Sequence, residues 1–190
     1  MDIIVATKNK GKIKEIKKIL GQHNVMSQAE INIDIDVEEN GATFAENAMI
    51  KATAVAQYTD CAVIADDSGI EVDALDGAPG IYSARYCGQG ATDEDRVTKL
   101  LSEIENADNR GAQFNCAIAL ILPDGERHIF EGIVRGTLDF KPSGSNGFGY
   151  DPIFIPDGYD KTFGELDSSI KDEISHRARA LKALAEFLNR

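Results

Sequence analysis

Residues able to do chemistry on a charged ligand crowd the N-terminal part of this chain. Lys8, Lys10, Lys12, Lys14, Lys17 and Lys18 follow one another with only Glu15 of opposite sign among them. Lys14, Lys17 and Lys18 read as the solvated face of a helix. Lys8, Lys10 and Lys12 need another account, because they belong to Thr7-Lys8-Asn9-Lys10-Gly11-Lys12, where an apolar run gives way to helical spacing. A strand that feeds a helix through a short loop leaves backbone N–H groups pointing beyond the loop, and the positive end of the helix dipole adds to their pull on an anion. Lys12, at the junction, can add a full charge. The spacing matches neither G-x-x-x-x-G-K-[ST] nor G-x-G-x-x-G, so taken alone it fits an anion site and an ordinary connection equally well.

Carboxylates form the second candidate. Asp66 and Asp67 follow the apolar run 61–65, where aspartates serve either as turn formers satisfied by nearby amides or as metal ligands. Adjacent side chains on a strand point to opposite faces, so one of the pair is expected to face a ligand. Mg2+ prefers one or two carboxylates together with phosphate and water, and Glu38 or Glu39 could supply the second. Acidic groups beside a lysine-rich loop suit a polyphosphate, whose charge metal and lysine offset together. Two further clusters say less by themselves. The glycine-rich stretch 143–149 runs into Phe148, Tyr150 and Asp151 and reads either as a flexible surface loop or as backbone brought close to a flat ligand. His176 and Arg177 fall in the first turn of the last helix, where the bare expectation is solvent exposure.

The elements that must position these groups alternate along the chain. Residues 3–6 form a strand, after which Ile13, Ile16, Ile19 and Leu20 recur at helical spacing. Ile31, Ile33, Ile35 and Val37 alternate with Asn32, Asp34 and Asp36, which predicts a strand with one buried face. Thr43, with Glu46 three residues on, is a capping box that opens a helix burying Phe44, Ala48, Ala52 and Val55. Residues 61–65 predict a strand that stops at Asp66-Asp67-Ser68-Gly69, with Gly69 permitting a turn. A loop over 76–80 precedes a helix begun by Thr92 and Asp95 and carrying Val97, Leu100, Leu101 and Ile104. Residues 112–122 and 128–138 flank Pro123-Asp124-Gly125-Glu126 as a hairpin. The final helix holds Ile174, Leu181, Leu184 and Leu188 in register, with Ser175 capping its main part. Helices alternating with strands, then a hairpin, predict an α/β fold with a mixed sheet.

At 190 residues the chain fits one domain, 1–190. A net charge of −12 argues against DNA, RNA or an anionic membrane as partner, so an anionic ligand must find a local exception such as the lysine loop. Cys61, Cys87 and Cys116 are odd in number and far apart, which predicts neither a disulfide framework nor a zinc site but a reduced, cytoplasmic setting. The longest apolar run, 116–122, is too short to cross a bilayer, and the N-terminus lacks the apolar stretch of a signal peptide.

Taken together, these residues resemble the inosine triphosphate pyrophosphatase family, the Ham1-like non-canonical purine nucleoside triphosphatases. Thr7-Lys8-Asn9-Lys10-Gly11-Lys12 resembles the family's T-x-N-x-x-K phosphate loop, with Lys8 where many relatives carry glycine. Thr43-Phe44-Ala45-Glu46-Asn47-Ala48 is similar to its T-F-x-E-N-A helix start, and Ala65-Asp66-Asp67-Ser68-Gly69 to its metal motif. Gly77 through Arg85 resembles G-x-P-G-x-x-S-A-R, and Gly147-Phe148-Gly149-Tyr150-Asp151-Pro152 the G-F-G-Y-D-P loop. Lys161-Thr162-Phe163-Gly164-Glu165 and Ser175-His176-Arg177 match its K-T-F-x-E turn and S-H-R helix start. The seven motifs occur in order over nearly the whole chain.

The resemblance implies an elongated mixed sheet with flanking helices, two lobes around a central nucleotide cleft, and a homodimer. It implies hydrolysis of inosine, deoxyinosine and xanthosine triphosphates to the monophosphate and pyrophosphate. On its terms Thr7, Lys8, Asn9, Lys10, Gly11, Lys12 and Lys171 hold phosphates, Asp67 is metal ligand and base for the attacking water, and Ser68 contacts the nucleotide. Glu39, in preference to Glu38, is the second Mg2+ ligand. Phe148, Gly149, Tyr150, Asp151, His176 and Arg177 recognise the base, Arg177 and His176 through its 6-oxo group. A nucleotide sensor would share the loop and pocket but would need no Asp67; the related Maf-like pyrophosphatases lack the S-H-R and F-G-Y-D motifs.

Overall fold

A computed structural model describes residues 1–88 and 90–189. Its elements are β1 (Asp2–Val5), α1 (Lys10–Ile19), β2 (Asn24–Ser27), α2 (Phe44–Ala56), β3 (Ala62–Val72), α3 (Asp93–Glu103), β4 (Gly111–Ile121), β5 (Arg127–Leu138), β6 (Phe154–Pro156), α4 (Ser168–Ile174) and α5 (His176–Leu188), with short 3-10 turns between some of them. The strands form one six-stranded sheet in the order β2-β1-β3-β4-β5-β6. Strand β1 runs parallel to β2 and β3, whereas β6 is antiparallel to β5, so the sheet is mixed and the fold α/β. Close contacts gather the chain into two compact units, one of Met1–Asp67, Cys116–Gly132 and Arg177–Arg190, the other of Ser68–Asn115 and Ile133–His176.

In the first unit the period of two along each strand sorts side chains to two faces. Ile3, Val5, Ile64, Cys116, Ile118 and Leu120 pack with Ile16 of α1 and with Ala180, Leu181 and Leu184 of α5. Ile4, Val63, Ala65, Ala119 and Ile121 pack with Ala48, Ala52 and Val55 of α2. Because β3 alternates, Asp66 continues the Ile64 face and Asp67 the Ala65 face. The second unit is held instead by a cluster rich in rings: Ile70, Val72, Leu100, Phe114, Leu138, Phe154 and Phe163. Phe114 and Phe154 have centroids 4.6 Å apart and Phe154 and Phe163 5.5 Å apart, contacts that add to area burial by roughly 0.5–1.5 kcal/mol each.

Four expectations need correction. Strand β3 does not stop at Asp66; it runs on to Val72 through Asp67, Ser68 and Gly69, because both aspartates find cations inside the unit and need no turn amides. Residues 31–37 are not a strand. A 3-10 turn, Gln28–Ile31, ends with Asn32 at φ 58°, and beyond it Ile33 and Ile35 are partly buried against the α2 cluster while Gln28 Nε2 donates to Ile35 O at 3.0 Å. The burial alternation is real, but a period of two states which side chains are covered and not whether a ladder partner exists. The neighbour of β1 is instead the short β2, and β5 is flanked by the equally short β6, strands of four and three residues with too little alternation to mark them in the sequence. Lastly, Ile174 belongs to α4 and packs in the second unit's core, since Ser175, extended at ψ 160°, separates α4 from α5.

Candidate functional site

The strand–loop–helix corner forms as the sequence implies. Asn9 is the N-cap of α1 and its Oδ1 accepts from Lys12 N–H at 3.1 Å, while Thr7 Oγ1 accepts from Asn9 N–H at 3.2 Å. These bonds orient the first-turn amides of a helix whose last turn carries Lys17 and Lys18, the charge placement that suits its dipole. Gly11 is the second helical residue and Lys10 the first, exposed to solvent. Lys8 is drawn to Asp34 at 2.9 Å and Asp36 at 3.9 Å; with the lysine side chain 50% exposed, this pairing contributes little.

Lys12 turns inward. Its ammonium lies 3.1 Å from Asp66 Oδ1, and Asp66 Oδ2 accepts from Arg177 Nε at 3.1 Å. Arg177 Nη1 donates to Glu15 at 2.5 Å, so α1, β3 and α5 meet in a charge-balanced cluster. Burial alone would raise the Asp66 pKa, but the charges of Lys12, Arg177 and Lys51 more than reverse this and hold the carboxyl well below the usual carboxylate range. Burial works against the Arg177 charge, and Asp66 and Glu15 overcome it, raising its pKa. The expectation that Arg177 is solvent-exposed is overturned: it is 2% exposed, because two carboxylates replace the water it gives up.

On the other face of β3, Asp67 meets α2. Asn47 Nδ2 donates to Asp67 Oδ2 at 3.2 Å, and Lys51 Nζ lies 3.1 Å from Asp67 Oδ1 and 2.7 Å from Glu39 Oε1. Asn47 Oδ1 also accepts from Gly41 N–H at 2.9 Å, tying the loop before α2 to the helix. A methyl group on Gly41 would come within 2.7 Å of Glu46 Cβ, so the loop needs glycine there to pass. Burial raises the Asp67 pKa, with Lys51 opposing and Glu39 adding to the rise. Lys51 is raised despite burial because Asp67, Asp66 and Glu39 all favour its charge. Glu39 is half-buried at this cluster, Glu38 is exposed, and Ser68 follows Asp67 half-buried on β3.

The second unit gathers a different set. Phe148 N–H donates to Asp151 Oδ2 at 2.8 Å, and Lys171 Nζ donates to the same oxygen at 2.6 Å while sitting 4.5 Å from the Phe148 ring centroid. Tyr150 is buried and its hydroxyl donates to Ser83 O at 2.8 Å. Gly147 has φ 73°, and a methyl group there would lie 2.0 Å from Asp151 Oδ2, so glycine is required on both counts. Thr162 Oγ1 donates to Ser143 O at 2.8 Å and Gly164 N–H to Asp151 O at 3.0 Å, so the K-T-F-x-E turn braces the loop from behind. His176, also expected to be exposed, is 4% exposed and stacks on Phe114 at 4.7 Å with planes 11° apart, an apolar shelf replacing solvent.

Sequence reasoning passed over Lys51, Asn47 and Glu15 as site residues, and took Asp66 only as one of a pair of which a single member faces a ligand. For two of them a partial signal was present: Asn47 and Lys51 are one helical turn apart and border the face of Ala48 and Ala52, a spacing that does not by itself say whether a charge there is buried. Glu15 gave no such sign, since its partner lies on α5.

The mixed α/β sheet carries two lysine–carboxylate clusters on opposite faces of β3, one of them reached by Lys12 from the first turn of α1. The chain belongs to the Ham1 family, whose sequence profile matches residues 3–187. It is 48% identical over 187 residues to a dITP/XTP pyrophosphatase of Staphylococcus epidermidis, covering 98% of this chain and 96% of that one. Among solved structures it is similar to the Staphylococcus aureus Ham1 protein, with TM-score 0.90 and 46% identity over 100% of this chain and 98% of that one. It is also similar to a HAM1 protein from Coxiella burnetii, with TM-score 0.90 and 40% identity over the same shares.

Proposed function

We propose that this protein hydrolyses the triphosphates of inosine, deoxyinosine and xanthosine to the nucleoside monophosphate and pyrophosphate, removing non-canonical purines from the nucleotide pool. The observation that carries the chemistry is the cluster of Asp67 and Glu39 around one ammonium group, and the dITP/XTP pyrophosphatase relatives supply the substrate class.

Cleavage of a phosphoanhydride asks mainly for positioning and charge neutralisation. The amides capped by Asn9, with Thr7, Lys8, Lys10, Gly11 and Lys12, take the polyphosphate, and Lys51 joins them. Asp67 and Glu39 fit Mg2+: both are hard oxygen donors and both already reach a single cation, that of Lys51. When bound there, Mg2+ supplies charge neutralisation at the phosphate oxygens. Asp67, its pKa raised by burial, is suited to accept a proton from the attacking water. Phe148 stacks on the purine for about 1–3 kcal/mol; Gly149, Tyr150 and Asp151 shape its loop, and Ser68 meets the nucleotide. Lys171, which lies against Asp151 and the Phe148 ring, holds a phosphate. His176 and Arg177 serve the 6-oxo group, Arg177 from a guanidinium that Asp66 and Glu15 hold still.

Among the described residues no helix is long and apolar enough to cross a membrane. The protein is proposed to act as a single domain over 1–190, in the cytoplasm, as a homodimer, which light scattering at micromolar concentration checks. The decisive experiment is a nucleotide panel incubated with Mg2+ and with EDTA, resolving all products. Monophosphate and pyrophosphate from the three non-canonical substrates, in the Mg2+ arm only, are expected. Diphosphate with inorganic phosphate, or no turnover with Mg2+, overturns the reading.

A further inference from the structure

The loop that carries Phe148 has a tether outside every residue assigned so far. Gly149, at φ 62°, donates its N–H to Asp93 Oδ2 at 2.7 Å. Asp93 Oδ1 is held in turn by Arg96 Nη1 at 2.7 Å, and Arg96 Nη2 donates to Ala91 O at 2.8 Å, so the carboxylate is steadied from within its own helix. Asp93 is the first residue of α3 but does not cap it. That work is done by Thr92, whose Oγ1 accepts from Asp95 N–H at 3.1 Å, and by Asp95, whose Oδ2 accepts from Thr92 N–H at 2.8 Å. The Asp93 carboxylate is thereby left to reach the loop.

Successive amides of the loop therefore end on two different carboxylates, Phe148 N–H on Asp151 and Gly149 N–H on Asp93. Fixing the N–H groups on both sides of one residue fixes the peptide planes that flank it, and with them the direction of its Cα–Cβ bond. The residue so flanked is Phe148. We propose that Asp93, steadied by Arg96, is a positioning residue that sets how the Phe148 ring meets the purine. This rests on the reading of Phe148 as the stacking residue. The Asp93 side chain is 51% exposed, so its bond to Gly149 competes with water and contributes to placement more than to global stability.

The test compares Asp93→Ala, Asp93→Asn and Glu94→Ala. Asp93→Ala should raise KM for inosine triphosphate about three- to tenfold with kcat within about twofold, since a tether that acts on bound substrate and transition state alike changes binding only. Asp93→Asn keeps an acceptor for Gly149 and should recover most of the loss. Glu94→Ala removes an acid from the same helical turn and should leave KM unchanged, which separates the tether from a helix-dipole effect. Exchange of the Gly149 amide, followed by NMR on the unliganded protein, should accelerate about tenfold in Asp93→Ala. Unchanged Gly149 exchange overturns the proposal, as does accelerated exchange with an unchanged KM. If the wild-type protein does not turn over inosine triphosphate, the proposed function fails first, and the Gly149 exchange still decides whether Asp93 holds the loop.

Discussion

The two units are built from different materials. The first buries charge: Asp66, Lys12, Arg177 and Glu15 on one face of β3, and Asp67, Lys51 and Glu39 on the other. The second buries mainly rings and backbone, with a single Lys171–Asp151 ion pair among them: Phe114 under His176, Lys171 over Phe148, and a loop whose amides end on carboxylates. A buried charge network tolerates small changes of shape but not the loss of a partner, since the remaining ion is then stranded in low dielectric. A glycine loop against aromatic surfaces is the reverse, because its shape is set by close packing and a single methyl group can spoil it.

The sharpest break of this contrast is Asp67→Asn, which keeps shape and removes charge. Turnover should fall by about 10² to 10⁴ while thermal unfolding and nucleotide binding persist; activity within tenfold of wild type would remove Asp67 from its role. Next comes Arg177→Ala, which takes the guanidinium from Glu15 and leaves the buried Asp66 with Lys12 at contact distance. The loss of stability in urea should be about 3–5 kcal/mol, and a loss below about 1 kcal/mol would show that the cluster is not a coupled unit. A selectivity test at this position is for that reason better made with Arg177→Lys, which keeps the charge but not the planar fork. Gly147→Ala probes the other unit. With φ 73° and Asp151 Oδ2 in the way, it should cost about 1–3 kcal/mol and raise KM for purine substrates more than it lowers kcat; a neutral outcome would deny that fit governs this unit.

The smallest effect is expected at the surface of the first unit. The Lys17 ammonium, with the Ser27 amide and hydroxyl, brings Glu30 down from its ordinary 4.5 to about 2. A carboxylate depressed in the folded state stabilises it above the ordinary value, and that stability is lost as pH falls from about 4.5 toward about 2. Glu30→Gln should flatten this part of the acid-unfolding curve slightly, and less so in high salt. An unchanged curve at low salt would place the acid sensitivity elsewhere.

What the sequence by itself determined was local. Thr43 before Glu46 and Thr92 before Asp95 mark helix starts because a cap bonds to an amide three residues on, a distance the chain reaches without tertiary help. The 123–126 turn between β4 and β5 is legible for the same reason, with Gly125 N–H donating to Leu122 O at 2.9 Å. The ordered motifs that mark the family are likewise a property of the sequence alone. Only the tertiary structure decided that β3 runs through its aspartates, that residues 31–37 lie alongside the core without joining the sheet, and that Arg177 is buried. Each depended on a partner remote in sequence: Asp66 is 111 positions from Arg177, and Asp67 is held from α2. A charged residue is exposed or buried according to whether the fold brings a counter-charge to it, and nothing in its immediate neighbours along the chain carries that information.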